Sequence, residues 1–435
     1  MNIAERLKDF FTSAEAKERK RKLLSASEVF CMAPWIQLHA QTNGKVSPCC
    51  MSFVTGGNEL GDLRENPDLR ESWNSKNMKQ LRQNMLQSKK SSICTHCYEY
   101  EKVGKFSERM QYNRDFKNEY PRITATLADG TFKKLSVPVI DIRFSNKCNY
   151  KCRICDSDYS TLWYDEEKKI GRAGRLAPLT SKENKVANDE LAFWQSYQSL
   201  LPEVKRLHFA GGEPLFMDEH YQTLEHLIAI GKTDVALSYN TNFSTLRYKQ
   251  YNVVELWNKF KKVDVWASLD GMDERGDYQR KGQRWKTIEE NIRMVKQQCP
   301  SVIFGVNATV SIFNVLHIPS FYKYMVEQQL VLLERMNLYL LFSPEYFNIT
   351  NLTPALKQKA VQQFEELERS YLNTLPDSAN IKNHIQAVIT YMQSAEGNAQ
   401  KEFQHWVKAV DNSREENFVS TFPELEEMMA ENQFA

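Results

Sequence analysis

The 435-residue chain reads as an α/β protein. Its centre is a partial, TIM-like (β/α)6 open barrel, preceded by a small cysteine-rich α+β segment and followed by a helical extension. Three observations predict this. Between residues 137 and 345, short runs rich in β-branched and aromatic residues alternate with stretches whose apolar residues recur at three- and four-residue intervals. The connections between runs are long enough for helical crossovers, which parallel strands require. Most of the runs end in glycine, asparagine, serine or cysteine, the placement expected where reactive groups gather at the carboxyl ends of barrel strands.

In chain order, residues 1–27 read as an N-terminal helix carrying the basic run Lys17–Lys22, a solvated face. Residues 28–105 form the cysteine-rich segment. Within it, "PWIQLHAQTNGKVSPCC" predicts two short strands around Asn43-Gly44, a dipeptide favoured in type I′ turns where positive φ is needed twice. A helix then carries Met78, Leu81 and Met85 on one face. The core spans 135–347, with strands expected at Val137–Phe144, Val204–Phe209, Asp234–Tyr239, Val263–Leu269, Val302–Val310 and Asn337–Phe342. "HYQTLEHLIAIG" and "TIEENIRMVKQQC" are two of the crossover helices. Residues 156–203 make a long first crossover with a basic, glycine-containing middle, either a solvated connector or a mobile loop beside the barrel mouth. From 348 to 435 the pattern is helical, suited to capping the barrel edge or binding a partner.

Composition narrows the function classes. With 42% hydrophobic and 26% charged residues the chain buries more than one core, and a net charge of +2 favours neither a nucleic-acid backbone nor a membrane surface. No apolar run approaches the roughly 18–20 residues of a spanning helix, and "MNIAERLKDFF" lacks a signal-peptide core. The expected location is the cytoplasm. Eight of the nine cysteines fall in ligand-like groups, which in a reducing compartment reads as metal clusters and not as a disulfide framework. Cys299 stands alone, a core or surface thiol.

Cys148, Cys152 and Cys155 form Cys-x3-Cys-x2-Cys directly after the first barrel strand. Three thiolates hold three corners of a [4Fe-4S] cubane and leave the fourth iron open to a ligand, as a catalytic zinc keeps a position that a structural zinc fills. The alternative is three buried thiols or a zinc knuckle. The second group is Cys31, Cys49 and the pair Cys94-x2-Cys97, enough thiolates to close a cluster; Cys50 competes with Cys49, and a zinc ribbon is the alternative reading. The later strand tips carry Gly211-Gly212-Glu213-Pro214, Asn240-Thr241-Asn242, Ser268 with Asp270, Ser311 with Asn314, and Ser343-Pro344-Glu345, while Arg280 follows Ser268 by twelve residues.

The three-cysteine loop with these tips resembles the radical S-adenosylmethionine (radical SAM) superfamily. The resemblance implies a cluster on Cys148, Cys152 and Cys155 that chelates SAM. It places Gly211, Gly212 and Glu213 at the methionine amino group, Asn240 and Asn242 on the ribose side, Ser268 at the ribose or carboxylate, and Arg280 at the carboxylate. Ile154 stands where most members carry an aromatic residue, which alters packing around the adenine. The first hundred residues resemble the twitch domain, the shortened SPASM domain that carries an auxiliary [4Fe-4S] cluster, through Cys31, Gly44, Cys49, Gly61, Trp73, Cys94 and Cys97. Here that domain precedes the barrel, whereas the family usually places it after.

The implied activity is reductive cleavage of SAM to a 5′-deoxyadenosyl radical that takes hydrogen from a substrate, with a flavodoxin- or ferredoxin-type donor supplying the electron. The substrate class implied first is a peptide or protein undergoing oxidative modification. A sugar, nucleotide or other small metabolite is the second, and a non-catalytic SAM-binding regulator the third.

Overall fold

The computed structural model describes residues 26–52, 57–102, 106–133, 135–172 and 182–430. The expected N-terminal helix up to residue 25, with its basic run, and the middle of the first crossover at 173–181 lie outside the described residues. The strands are β1 Gln37–Ala40, β2 Lys45–Ser47, β3 Gly61–Asp62, β4 Val139–Ile142, β5 Lys151–Cys152, β6 Arg206–Phe209, β7 Ala236–Thr241, β8 Arg247–Tyr248, β9 Tyr251–Asn252, β10 Lys262–Ser268, β11 Arg280–Lys281, β12 Val302–Val310 and β13 Met336–Leu340. All six expected barrel strands are present, as β4, β6, β7, β10, β12 and β13. The α/β class and the parallel strands read from the sequence are those of the structure.

The chain divides into two compact units. The first comprises 1–145, 184–211 and 222–237, and the second 146–183, 212–221 and 238–435. In the first unit β1 lies parallel to β4 and β4 parallel to β6, with His39 opposite Asp141 and Asp141 opposite His208. β2 and β3 continue from β1 as antiparallel strands. The β1–β2 connection is not the two-residue type I′ turn that Asn43-Gly44 predicts. Gly44 N–H donates to Gln41 O at 2.9 Å and Gln41 N–H to Lys45 O at 3.0 Å, and of the pair only Gly44 has positive φ, at 80°. This is a longer loop closed by a glycine bulge, in which Asn43 stays right-handed and spends its side-chain oxygen on Lys45 N–H at 3.1 Å. The helix Lys76–Leu86 begins at Ser75, whose hydroxyl caps Met78 N–H at 3.3 Å, and it buries Met78, Leu81 and Met85 as the periodicity requires.

In the second unit β10, β12 and β13 run parallel, with Ser268 opposite Asn307 and Asn307 opposite Asn337. Along β10, Val263, Val265 and Ala267 are buried while the residues between them are half-buried, the period-two pattern of a strand with helices on one face. The helix Trp285–Gln298 supplies one such cover by burying Ile288, Ile292 and Val295. Short β5 pairs antiparallel with β11, and β8 with β9. The C-terminal region is helical over Pro354–Ser370, Ala379–Gln393 and Gln400–Arg414, whereas the last expected helix is a 3-10 segment, Pro423–Met429, that starts at a proline. No helix among the described residues is long and apolar enough to cross a membrane.

Candidate functional site

In the second unit the loop after β4 is pinned on all sides before any ligand is considered. β5 holds Cys152 opposite Arg280 of β11, and Arg153 N–H continues the pairing to Gln279 O at 2.8 Å. Trp163 Nε1–H donates to Cys152 O at 2.9 Å, Ser160 Oγ–H to Tyr150 O at 2.5 Å, and Asn146 Nδ2–H to Ser157 O at 2.7 Å. Those bonds satisfy the polar backbone of an irregular buried segment. The three thiols are brought near one another as a result. Cys152 hydrogen-bonds Cys155 and lies in the field of Cys148, and Tyr150 N–H points at Cys148 Sγ at 3.4 Å. Burial pushes the Cys148 thiol up to about 12, since nothing cationic enough offsets the loss of water. Such thiols become thiolates when a metal supplies the positive charge.

Around them the expected strand tips assemble. Glu213, after β6, is buried and accepts Thr241 Oγ1–H at 2.6 Å and Leu215 N–H at 3.0 Å on one oxygen and Asn242 N–H at 2.6 Å on the other. Burial nonetheless dominates these contacts and raises its carboxyl to about 7. Three of roughly four acceptor sites are taken by the protein, leaving one toward a ligand. Gly212 is pressed against the cysteine loop, and Glu213 N–H donates to Lys147 O at 2.8 Å. Asn242 Nδ2–H reaches Asn149 at 2.8 Å, tying the end of β7 to the same loop. Arg280 lies between its partners, Nε 2.8 Å from Asp270 and Nη1 3.9 Å from Cys152 Sγ. Burial would lower its pKa, but Asp270 and the thiols outweigh it.

Ser268 ends β10, half-buried. Asn240 belongs to an amide row that the sequence did not signal as one: Asn307 donates to Asn240 at 3.2 Å and Asn337 to Asn307 at 3.0 Å. Ser311 and Asn314 shape a turn, Asn314 accepting Ser311 N–H at 2.8 Å and donating to Asp270 O at 3.0 Å. Gly211 belongs to the first unit and takes φ of 122°, open to glycine without strain.

The second cysteine group lies in the first unit. The Cys31 thiol lies in the field of Cys49, Cys94 and Cys97, and Cys49 in that of Cys94 and Cys97. Cys50 faces Glu108, Asp141 and Arg143 as well as Cys49. The spatial grouping is therefore Cys31, Cys49, Cys94 and Cys97. A 3-10 turn at Ser92–Cys94 runs into the helix Thr95–Lys102, bringing Cys94 and Cys97 together. The chain around Cys31 is fixed from a distance: Arg109 Nη1–H donates to Ser27 O at 2.7 Å and Phe30 O at 2.8 Å, and Asn113 holds Phe30 O and Met32 N–H at 2.8 and 2.9 Å. Among the described residues no three His, Cys, Asp or Glu donors converge closely enough to ligate a single metal ion. The soft four-thiol set, with Cys31 and Cys97 buried and Cys49 and Cys94 half-buried, has the donor chemistry of an iron-sulfur cluster, whose several irons spread their thiolates over separate corners.

Sequence reading missed one more feature of this unit. His39, Asp141 and His208 form a row across β1, β4 and β6, the first two buried and His208 half-buried, with His39 Nδ1 3.0 Å from Asp141. Burial would raise the Asp141 carboxyl, yet the charges of His39, Arg143 and His208 hold it well below the usual range, while burial pushes His208 down. The signal was two polar residues at alternate positions in each of "IQLHA", "VIDIR" and "RLHFA".

Residues 31–98 match the SPASM model, an iron-sulfur cluster-binding domain. Curated proteins give no match to the chain. Among solved structures the chain is similar to native anSMEcpe with bound AdoMet and Cp18Cys peptide, at 18% identity over 53% of this chain and 59% of that one, with a TM-score of 0.36. The alignment thus spans less than two thirds of anSMEcpe. Streptococcus suis SuiB bound to precursor peptide SuiA is 13% identical over 77% of this chain and 64% of that one, TM-score 0.33. TYW1 with a lysine-pyruvate adduct is 13% identical over 51% and 70%, TM-score 0.25.

Proposed function

We propose that this chain is a radical SAM enzyme with an N-terminal auxiliary-cluster domain, acting on a peptide or protein by hydrogen abstraction and oxidation. Residues 28–105 form the auxiliary domain, 135–347 the core and 348–435 the extension. The observation that carries the reading is the second unit's constellation. Three thiols sit within one pinned loop, a Gly-Gly-Glu turn presses on it, and Arg280 reaches both Cys152 and Asp270.

Cys148, Cys152 and Cys155 would hold a [4Fe-4S] cluster, and Cys31, Cys49, Cys94 and Cys97 a second. When bound, the first supplies the electron, drawn from a flavodoxin- or ferredoxin-type donor, that splits SAM into methionine and the 5′-deoxyadenosyl radical. The protein's part is to bind and orient. Glu213 offers its remaining acceptor to the ammonium group, and the Arg280 guanidinium meets the carboxylate, a charge-assisted pair in a site that water leaves. Ser268, Asn240 and Asn242 offer hydroxyl and amide groups to the ribose.

Anaerobic reconstitution is the test. The chain should bind about eight iron and eight sulfide, and replacing Cys148, Cys152 and Cys155 by Ala should leave about half. With dithionite it should form 5′-deoxyadenosine, and Cys152→Ala should not. About four iron with one zinc would make the N-terminal domain a zinc ribbon, and undiminished cleavage by Cys152→Ala would remove the site assignment.

A further inference from the structure

Arg153 lies between Cys152 and Cys155, and its side chain is fully buried. Its Nη2 stands 2.5 Å from Asp411 Oδ1 and 2.5 Å from Glu416 Oε2, residues 258 and 263 positions away at the end of the helix Gln400–Arg414 and just past it. Its Nε–H donates to Tyr278 O at 3.0 Å, and the guanidinium packs 3.6 Å from the Tyr278 ring centroid. The Tyr278 hydroxyl returns to Asp411 Oδ1 at 2.8 Å, and Asp411 Oδ2 accepts Phe418 N–H at 2.7 Å.

The neighbouring bases are held in the same way. Lys281 of β11 meets Glu416 Oε1 at 2.8 Å, and Lys151 of β5 meets Glu166 at 2.6 Å. Arg414, from the same C-terminal helix, binds Glu166 at 2.8 Å. Lys281 also meets Asp277 at 3.2 Å, so Asp411 and Glu416 are the acids that balance Arg153, with Glu416 shared between Arg153 and Lys281. A buried ion network of this kind is weak evidence for stability, because apolar residues of similar volume do as well. What it does supply is a fixed geometry and a fixed local charge.

We propose that Asp411 and Glu416 are positioning residues for the three-cysteine site: through Arg153 they lock the Cys152–Cys155 stretch and cancel its positive charge beside the metal. The C-terminal extension is then a working part of the site, clamping the ligand loop. The charge-balancing half of the inference rests on the radical SAM reading above. The clamping half does not.

The test takes the full chain in two states. In the metal-free chain, hydrogen exchange of backbone amides at 146–162 should quicken about tenfold in Asp411→Asn/Glu416→Gln and return toward wild type in Asp411→Glu. In the reconstituted chain, the midpoint potential is read from the electron paramagnetic resonance signal that changes on adding SAM. Neutralising both acids leaves Arg153 without an acid partner, while Lys281 keeps only Asp277, and should raise the potential, whereas Arg153→Met leaves an acid in excess and should lower it. Each shift is expected to be about tenfold in the reduced-to-oxidised ratio, about 59 mV for one electron. Unchanged exchange in the acid double variant would overturn the clamp. Shifts of the same sign in both variants would overturn charge balancing. If the wild type shows no SAM-responsive signal, the radical SAM reading fails, and the exchange experiment still decides the clamp.

Discussion

Alanine in place of Gly212 would set its Cβ 2.1 Å from the carbonyl oxygen of Lys147, 2.6 Å from that carbonyl carbon and 2.8 Å from the Asn146 carbonyl carbon. An ordinary contact begins at 3.4 Å. All three neighbours are backbone, so no side chain can rotate away, and relief takes a displacement of about 1 Å between the Gly-Gly-Glu turn and the cysteine loop. The Glu213 N–H to Lys147 O bond of 2.8 Å lies at the same point and would be lost or stretched. Overpacking of this kind costs about 1–3 kcal/mol. The functional cost is larger, because Lys147 immediately precedes Cys148, and a misplacement of about 1 Å in an oriented site costs on the order of a hundredfold in rate. Urea denaturation of the metal-free chain measures the first quantity, and the rate of 5′-deoxyadenosine formation after reconstitution the second. Gly212→Ala with wild-type cleavage and an unchanged midpoint would refute the argument that this glycine is there for the approach of two backbones.

Further outcomes follow from the same geometry. Cys49→Ala should lose the second cluster's iron, about four per chain, while Cys50→Ala should keep it, as measured by iron and sulfide content. Because burial holds the Glu213 carboxyl near 7 in the folded chain, above its unfolded value of 4.5, its contribution is full below about pH 4.5 and is lost as pH rises toward 7. That loss is roughly 3 kcal/mol from about 1.4 kcal/mol per pH unit, and Glu213→Gln should remove this part of the metal-free chain's stability profile in urea titrations between pH 4 and 8. Among the described residues Arg82 is buried without a carboxylate partner, bonded to Pro34 O and Asn74 Oδ1, both at 2.9 Å, with its guanidinium 4.8 Å from the Trp73 ring centroid. Arg82→Ala should destabilise the first unit by about 3 kcal/mol, since it leaves the Pro34 carbonyl unmet and a cavity while Asn74 Oδ1 keeps only Phe132 N–H, visible as a lower thermal midpoint.

Local chemistry was legible in the sequence. Cysteine spacing, the glycines and glutamate after a β-rich run, and period-two burial in β10 and β12 are properties of a few consecutive residues, and the strand ends fall within a few residues of where those patterns put them. The auxiliary-domain resemblance, carried by Cys31, Cys49, Cys94 and Cys97, is likewise a matter of spacing, and the matching model spans residues 31–98. The turn at Asn43-Gly44 was misjudged because the dipeptide permits two positive φ values without requiring them; the pairing of Gln41 with Lys45 chose the bulge.

Other features have no local signature. Cys49 and Cys50 are adjacent and chemically identical, and only the fold separates them: Cys49 lies in the field of Cys94 and Cys97, and Cys50 in that of Glu108, Asp141 and Arg143. The His39, Asp141 and His208 row required three strands in a particular register. Arg153 found its acids across more than 250 residues, where no periodicity or spacing links the partners. Sequence thus made legible the spacing of the cysteines and of the polar strand ends, because these are short-range patterns. Tertiary structure alone decided which buried groups pair with and face one another, because burial and charge pairing depend on distance in space.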